Sequence, residues 1–398
     1  MKTRILNVAM TCCFASFPAA SLFSGNIEPL VRIPFITNGY QTYLELQING
    51  SEEKLCFGFD TGAGSTVLDQ DFVISNNVVL SGEKEEMATS TNVVQADIST
   101  NNSICLNGFN IKGIKFYIEN LSHLNTAPDG KRVAGIIGYG LMRNYVTYIN
   151  HEENYIELYP KETELFNNAA EIPFFLYENE LPVFYASIKT KTGELPARLV
   201  FDSGASFTSS LSSNYISKHK LVEQLKVKVE VPVIGGALSS SSINYLSSLQ
   251  QLSFGDFTFD HVPVNFSTSS TGSMANDSID GVIGFDLIKK FNVVLDYEAK
   301  KMRLIPNKQY NSVLNFNLTG LSFRTQNDKV VVAGVMDYSP AKSAGIKKGD
   351  IVISVDNNQF KSSAELRNYL KGSYKTMDFL IEREGKLIDF NVKPSDFY

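Results

Sequence analysis

One short stretch occurs twice in the 398-residue chain and constrains its fold more than any other feature. The copies are Phe59-Asp60-Thr61-Gly62-Ala63-Gly64 and Phe201-Asp202-Ser203-Gly204-Ala205-Ser206, and an apolar, strand-like run precedes each one. Both copies place a small hydroxyl residue and a glycine after an aspartate. More than a third of the chain separates the aspartates, far enough for each to lie in its own half of one folded unit. We expect the two halves to bring Asp60 and Asp202 together as a pair.

A second pair of matching segments indicates an internal duplication. Gly135-Ile136-Ile137-Gly138 follows Asp60 at nearly the same distance along the chain as Gly281-Val282-Ile283-Gly284 follows Asp202. Two matches in the same order and at nearly the same spacing favour a repeated structural unit. Short alternating runs between turn residues, such as Asn107-Gly108, predict strands in both copies.

The paired aspartates can activate water. Two carboxyls a few ångströms apart do not ionise independently, so one stays protonated while the other is charged. The charged carboxylate can act as a base on a water molecule while the protonated one donates to a carbonyl oxygen. Thr61 and Ser203 can hydrogen-bond the backbone of the opposite strand and so fix this geometry. Gly62 and Gly204 allow the close backbone approach.

The two stretches resemble the Asp-Thr/Ser-Gly active-site motifs of aspartic proteases. Segments 135–138 and 281–284 resemble the hydrophobic-hydrophobic-glycine segment that passes behind each catalytic loop in that family. The likeness spans about residues 30 to 306. It implies a mainly β protein with a two-lobed, acid-protease-like pair of β-barrels. It also implies an aspartic endopeptidase with Asp60 and Asp202 as catalytic residues and with no metal or other cofactor.

Alanine at positions 63 and 205 is closer to the retropepsin-type enzymes than to the pepsin-type ones, which usually carry Ser or Thr there. An alanine removes a hydroxyl that would hydrogen-bond the catalytic carboxylate, so the form with a shared proton should persist to higher pH. We therefore predict a pH optimum less acidic than that of a pepsin.

The resemblance also implies a flap hairpin that closes over the substrate. The second half offers Ile234, Gly235 and Gly236 as the tip of such a flap, a short distance along the chain from Asp202. The first half has Ala88-Thr89-Ser90-Thr91-Asn92 at a similar offset from Asp60, with no glycine. A plain surface turn explains either segment equally well.

The chain changes character after residue 306, and its last part resembles a PDZ domain. Gly320-Leu321-Ser322-Phe323 stands where that family has a Gly-Leu-Gly-Phe-like loop, whose backbone N–H groups hold a peptide carboxylate. An amphipathic helix is predicted over residues 362–371, with Leu366, Tyr369 and Leu370 on one face. The resemblance implies that a C-terminal peptide adds beside a sheet edge, which would recruit substrates or gate the cleft. The alternative is a PDZ-like domain that only docks on the protease.

The N-terminus has the parts of a secretory signal. Lys2 and Arg4 precede a mostly apolar run to Phe17, and small residues follow. A buried N-terminal strand is the alternative. We predict an exported protein (secreted, periplasmic or associated with the cell envelope). Its predicted parts are a signal peptide at 1–25, an N-terminal protease lobe at 26–170, a C-terminal protease lobe at 171–310 and a PDZ-like domain at 311–398.

Charge and hydropathy narrow the range of partners. The net charge is −6 and no Lys/Arg-rich run occurs, so nucleic acid is not expected as a partner. After removal of the signal, no stretch is apolar enough for a membrane-spanning helix. The expected partners are a peptide or protein substrate and a C-terminal peptide at the PDZ-like domain.

Cys56 and Cys105 form a disulfide if their strands are neighbours; two buried thiols are the equal alternative.

Two other functions fit parts of the sequence. Asp-x-Gly loops also grip phosphates in actin- and Hsp70-like ATPases, but those folds need helices between their strands, where this sequence predicts strands. A catalytically silent, protease-like peptide-binding protein is the second alternative, although both Asp-hydroxyl-Gly triplets are intact. The four histidines are isolated in the sequence, so neither a metal site nor a serine-protease site is indicated.

Overall fold

A computed structural model of the chain describes residues 27–88, 93–122, 124, 127–191, 193–225, 229–232, 243–314, 318–327, 329–371 and 373–395. The predicted signal peptide and the flap candidates Ile234, Gly235 and Gly236 lie outside these residues, as do residues 89–92 of the first-half flap candidate. Among the helices described, none has the length and apolar character needed to cross a membrane.

The first lobe is built from short strands joined by tight turns. Asn107 and Gly108 show why, because their φ angles of 46° and 88° are the positive values that an Asn-Gly turn between two strands adopts. The elements of this lobe are β1 (Val31–Thr37), β2 (Thr42–Ile48), β3 (Leu55–Phe59), β4 (Val67–Asp69), β5 (Lys84–Ala88), β6 (Val93–Leu106), β7 (Phe109–Glu119), β8 (Val133–Ile137), α1 (Tyr139–Met142), β9 (Val146–Asn150) and β10 (Tyr155–Tyr159).

The second lobe repeats this plan element by element. Strand β3 lies parallel to β8 in the first lobe, and the equivalent strands β13 and β18 lie parallel in the second. The elements of the second lobe are β11 (Ala170–Tyr177), β12 (Leu181–Thr190), β13 (Gly193–Phe201), β14 (Ser209–Leu211), α2 (Ser213–Lys218), β15 (Val229–Pro232), β16 (Ile243–Phe254), β17 (Phe257–Phe266), β18 (Gly281–Ile283), α3 (Phe285–Ile288), β19 (Phe291–Asp296) and β20 (Lys301–Pro306). The mainly β, two-lobed fold is confirmed.

One antiparallel sheet joins the lobes. Its strand order is β1-β10-β9-β19-β20-β11, and the central pair places Val293 opposite Ile149 across the boundary between the lobes. The apolar faces of this sheet and of the two lobes merge into one large buried cluster that contains Ile149, Ile156, Val293 and Leu304. The strands that lead to Asp60 and Asp202 therefore belong to one continuous core rather than to two loosely linked units.

The C-terminal unit has its own core. A five-stranded antiparallel sheet has its strands in sequence order, with β21 at one edge and β25 at the other. Helix α5 packs beside β21, and Leu366 and Leu370 are fully buried beneath it. The elements are β21 (Leu321–Gln326), β22 (Lys329–Val335), α4 (Pro340–Ala344), β23 (Ile351–Val355), α5 (Ser363–Leu370), β24 (Met377–Arg383) and β25 (Lys386–Val392).

One local expectation for this unit was wrong. Tyr369 is 39% exposed and its hydroxyl donates to the Asp356 carboxylate, so it does not share the buried face of α5. Of the predicted Gly320-Leu321-Ser322-Phe323 loop, only Gly320 lies outside a strand, with a φ of +75°. The next three residues open β21, where a register shift falls between Ser322 and Phe323.

The disulfide alternative is also wrong. Cys56 and Cys105 are both free thiols. Their strands are not neighbours, because β2 lies between them and pairs Glu45 with Cys56 on one side and Gln47 with Cys105 on the other. Two strand spacings amount to about 10 Å, which is beyond the reach of a disulfide. Burial raises the pKa of the Cys56 thiol to about 12, so this cysteine is an unreactive apolar filler.

Candidate active site

The two aspartates lie at the ends of equivalent strands. Strand β3 ends at Phe59 and β13 at Phe201, so the next residue of each is an aspartate. The Asp60 N–H donates to Ile137 O at 3.0 Å, and the Asp202 N–H donates to Ile283 O at 3.1 Å. The same hydrogen bond therefore anchors each aspartate to the isoleucine of its own Gly-Ile/Val-Ile-Gly segment.

Glycines bring the two loops into direct contact. A Cβ at Gly62 would overlap the Asp202 carboxyl, and a Cβ at Gly204 would overlap the Asp60 carboxyl. Each carboxyl therefore lies directly against the backbone of the opposite loop. Only glycine at both positions allows the two half-buried carboxyls to face each other at this distance.

A reciprocal set of hydrogen bonds holds the loops together. The Thr61 hydroxyl donates to Phe201 O at 2.7 Å and accepts from the Ser203 N–H at 2.9 Å. The Ser203 hydroxyl accepts from the Thr61 N–H at 3.0 Å and donates to Phe59 O at 3.4 Å. Both side chains are fully buried, so these bonds are shielded from water. The hydroxyl residues thus lie where the motif predicted them, each bonded to the other lobe.

Backbone amides and burial set the charge state of the pair. The Asp60 carboxylate accepts from the Gly62 N–H at 2.7 Å, and that of Asp202 accepts from the N–H groups of Gly204 and Ala205 at 2.9 and 3.0 Å. Burial raises the pKa of the Asp60 carboxyl. Burial and the charge of Asp60 together raise the pKa of Asp202 well above its usual range. The arrangement favours one shared proton over two charges.

The second glycine of each repeated segment supports its loop from behind. A Cβ at Gly138 would overlap Ala63 O and Asp60 O, and one at Gly284 would overlap the backbone of Phe207 and Ala205. Just beyond each glycine, Tyr139 and Phe285 donate their N–H groups to Ala63 O and Ala205 O at 2.9 and 2.8 Å. The segments therefore lie behind the loops, as the resemblance implied.

A contact from the loop before β2 was not predicted from the sequence. The Gln41 amide nitrogen donates to Gly204 O at 3.1 Å, so a first-lobe side chain supports the loop that carries Asp202. The neighbouring Tyr40 is buried. No motif marks these residues, because their importance comes only from the way the lobes face each other.

The PDZ-like unit contacts the same region through α5. The Arg367 guanidinium lies 4.4 Å above the Tyr40 ring, and the Asn368 amide donates to Asn38 O at 3.1 Å. At the end of the helix, the Lys371 ammonium pairs with the buried Asp286 carboxylate at 2.6 Å. The helix that borders β21 is therefore in contact with the loop that supports the dyad.

Comparisons with known proteins agree with this architecture. A family model described as aspartyl protease matches residues 188–287, and a PDZ domain model matches residues 318–393. The metalloprotease MmpA of Caulobacter vibrioides is 30% identical over 84 residues, which are 21% of each chain. The mitochondrial serine protease HTRA2 of Drosophila sechellia is 28% identical over 178 residues, 40% of this chain and 42% of that protein. The chain spans less than half the length of these curated relatives.

Among solved structures, the aspartic proteinase from Irpex lacteus matches with a TM-score of 0.47 and 11% identity. The match covers 72% of this chain and 99% of that one. The family models, the duplicated Asp-Thr/Ser-Gly loops and the five-stranded C-terminal sheet lead to one assignment. The chain contains an aspartyl protease-like domain and a C-terminal PDZ domain.

Proposed function

We propose that the protein is an aspartic endopeptidase that hydrolyses peptide bonds with water activated between Asp60 and Asp202. The observation that carries this proposal is the contact of each carboxyl with the glycine of the opposite loop. Two carboxyls so close, both with pKa values raised by burial, share a proton.

The shared proton supplies both halves of the chemistry. The ionised carboxyl takes a proton from a water molecule as its oxygen attacks the peptide carbonyl carbon, and the protonated carboxyl donates to the carbonyl oxygen. The buried bonds between Thr61 and Ser203 hold the carboxyls in place during both transfers. Such positioning is a large part of the rate, because a misplacement of about 1 Å can slow a reaction about 10²-fold.

The test is cleavage of an unbiased peptide library between pH 3 and pH 8, with and without pepstatin. We expect pepstatin-sensitive cleavage that disappears in Asp60→Asn and has an optimum well above pH 2. Inhibitors of serine and metalloproteases serve as controls, because the relatives include both of those classes. Cleavage that resists pepstatin and survives Asp60→Asn would overturn the proposal. Peptide binding without any cleavage would favour the silent, peptide-binding alternative.

We further propose that the PDZ domain binds the C-terminal end of a peptide and that binding changes access to the cleft. The contact of α5 with Asn38 and Tyr40 favours gating over simple tethering, because a peptide added between β21 and α5 lies against that same helix. The test adds peptides with free or amidated C-termini to the full chain. Gating is supported if kcat changes with the peptide that has a free C-terminus and does not change with the amidated peptide. Tight binding of the free-C-terminus peptide without any change in kcat contradicts gating.

We also propose that the protein is exported, on the strength of Lys2, Arg4 and the apolar run that follows them. N-terminal sequencing of the protein purified from its natural source tests this. A new N-terminus near residue 26 supports export, and an intact Met1 in the mature protein contradicts it.

A further inference from the structure

An acidic side chain of the second lobe reaches across to the catalytic loop of the first. Strands β11 and β12 are joined by a short turn in which Glu178 and Asn179 have positive φ and the Glu180 N–H donates to Tyr177 O at 3.0 Å. The Glu180 side chain lies directly over Gly64, where a Cβ would overlap its carboxylate. Gly64 belongs to the loop that begins at Asp60, so Glu180 borders the dyad at the seam between the lobes.

The Glu180 carboxylate has no partner among the residues that the structure describes. Within the described part of the chain, its oxygens take part in no hydrogen bond and in no ion pair within 4.0 Å. The nearby Lys115 is already paired with Glu85, and the exposed Arg143 lies over the Tyr139 ring, 5.8 Å from its centroid. The side chain is nevertheless half-buried, and this burial raises its pKa. A half-buried carboxylate without a partner is unfavourable unless something else pairs with it.

We propose that Glu180 receives a lysine or arginine side chain of the substrate, so that the enzyme prefers peptides with a basic residue close to the scissile bond. Three observations carry this: Glu180 lies against the loop that bears Asp60, it is half-buried, and it lacks a cation of its own among the described residues. A substrate cation there gains a partially desolvated charge pair, which discriminates more strongly than a surface pair does. The inference rests on the proposed peptidase function, because it assigns a substrate class to that same cleft.

A competing explanation is internal neutralisation. Arg143 is exposed and close enough to influence Glu180 electrostatically, so its side chain could swing across and pair with the carboxylate. In that case a substrate cation would gain little, and Arg143→Gln would create a basic preference that the wild type lacks. Glu178, exposed on the same turn, provides a matched control because it is also acidic but does not touch Gly64.

The test uses pairs of peptides that contain a cleaved bond and differ only by lysine or glutamine at one position near it. We expect kcat/KM for the best lysine peptide to exceed that of its glutamine twin about 10- to 100-fold in the wild type. In Glu180→Gln the ratio should fall to within about twofold of one, and in Glu178→Gln it should stay near the wild-type value. A wild-type ratio near one at every position, or a ratio that survives Glu180→Gln, would overturn the inference while the peptidase function stands.

A binding measurement separates this inference from the catalytic proposal. The same peptide pairs are titrated against Asp60→Asn and against Asp60→Asn/Glu180→Gln. If the lysine peptides bind more tightly than the glutamine peptides to Asp60→Asn but not to the double variant, the role of Glu180 is supported. This holds even if the wild type cleaves nothing. Equal binding of both peptides to both variants contradicts it, whatever the outcome of the cleavage assay.

Discussion

The two lobes have equivalent Asp-Thr/Ser-Gly loops, but the hydrogen bonds of their hydroxyl side chains differ in length. Thr61 of the first lobe makes two short hydrogen bonds through its hydroxyl, at 2.7 and 2.9 Å, whereas those of the Ser203 hydroxyl are 3.0 and 3.4 Å. The carboxyls are bonded more alike, because Asp202 interacts with the N–H groups of Gly204 and Ala205 and Asp60 with those of Gly62, Ala63 and Gly204. The duplication therefore explains the dyad, and the clearest departure from symmetry at the loops is in the hydrogen bonds of the two hydroxyls.

Outside the dyad, one position of the repeat separates the lobes most clearly. The segment after the second glycine reads Tyr139-Gly140-Leu141 in the first lobe and Phe285-Asp286-Leu287 in the second. Gly140 lies against Thr66 within its own lobe, whereas Asp286 binds Lys371 of the PDZ domain. The acidic side chain of Asp286 thus lets segment 285–287 bind the PDZ domain, whereas the equivalent Gly140 has no side chain with which to do so.

The largest expected effect follows removal of either carboxyl charge. Asp60→Asn and Asp202→Asn each leave one carboxyl without the partner that shares its proton, so kcat/KM should fall about 10³-fold or more in both. Steady-state kinetics on one library-derived peptide measures this, and an unchanged unfolding midpoint shows that the variant is folded. Similar losses of kcat/KM in the two variants would show that both carboxyls are equally necessary for cleavage. Substantial cleavage by either variant would contradict the dyad.

A second expected effect concerns two buried residues at equivalent places in the lobes. His151 follows β9 and Tyr297 follows β19, and each has a buried polar atom without a hydrogen-bond partner among the described residues. His151 meets the Phe285 ring edge-on at 5.5 Å, and Tyr297 meets Tyr139 in the same way at 5.3 Å. Each aromatic side chain therefore packs against the first residue of the other lobe's helix, α3 or α1. Only the histidine can take up a proton in mild acid.

His151→Phe should stabilise the protein in acid. Burial, with a smaller contribution from Lys289, lowers the pKa of His151 to about 3, from about 6.5 in the unfolded chain. Between these values the unfolded chain binds the extra proton, so stability falls as pH falls below about 6.5. At pH 4.5 the variant should gain about 3 kcal/mol relative to its effect at pH 7, as measured by urea unfolding. Tyr297→Phe is the control, and its effect should be the same at both pH values. A gain from His151→Phe that is independent of pH would contradict the burial of a neutral imidazole.

The hydrogen bonds between the two loops allow a more direct comparison of the lobes, with a smaller expected effect. Thr61→Val removes two short buried bonds and leaves the Ser203 N–H and Phe201 O unpaired, so it should lower the unfolding free energy by about 2 kcal/mol. Ser203→Ala loses longer bonds and should lower it by about 1 kcal/mol. Urea unfolding and kcat/KM are measured together for both variants. A larger loss in Ser203→Ala would reverse the asymmetry between the lobes.

Much of this architecture could be predicted from the sequence because it depends on local chemistry repeated twice. An aspartate after an apolar strand, a hydroxyl residue and a glycine each constrain the backbone within a few residues, so the positions of Asp60 and Asp202 at strand ends follow from the pattern. The contacts of Gln41, Glu180 and Asp286 could not be predicted in this way. Each depends on the relative placement of segments far apart in sequence, which no short pattern specifies.

The cysteines show the same limit. Whether Cys56 and Cys105 can bond depends on the order of strands, and that order places β2 between them. Patterns therefore predict which elements exist more reliably than which elements become neighbours.

The smallest expected effect tests the attachment that distinguishes the second lobe. Burial acts to raise the pKa of Asp286, but the charges of Lys289 and Lys371 outweigh it, so this pKa lies below its usual range. A carboxyl with a lowered folded-state pKa stabilises the protein above its unfolded pKa of about 4, and this stability is lost as pH falls through the folded value. Lys371→Met removes one of the two cations and should therefore reduce stability at pH 7. The expected loss is about 1 kcal/mol or less, because Lys371 is partly exposed and Lys289 remains.

Amide hydrogen exchange measures this loss of stability locally, in the helix that ends next to Lys371. In Lys371→Met, the amides of α5 should exchange faster at pH 7 than in the wild type, while those of β24, three strands away from β21 in the sheet, should not change. Lys342→Met is the matched control, because Lys342 pairs with Asp337 on the exposed surface of the same domain. Unchanged exchange in α5 would mean that the pair between Lys371 and Asp286 does not stabilise this helix, in contrast to the contacts of Arg367 and Asn368. The acidic residue that sets the second lobe apart from the first would then have no part in the attachment.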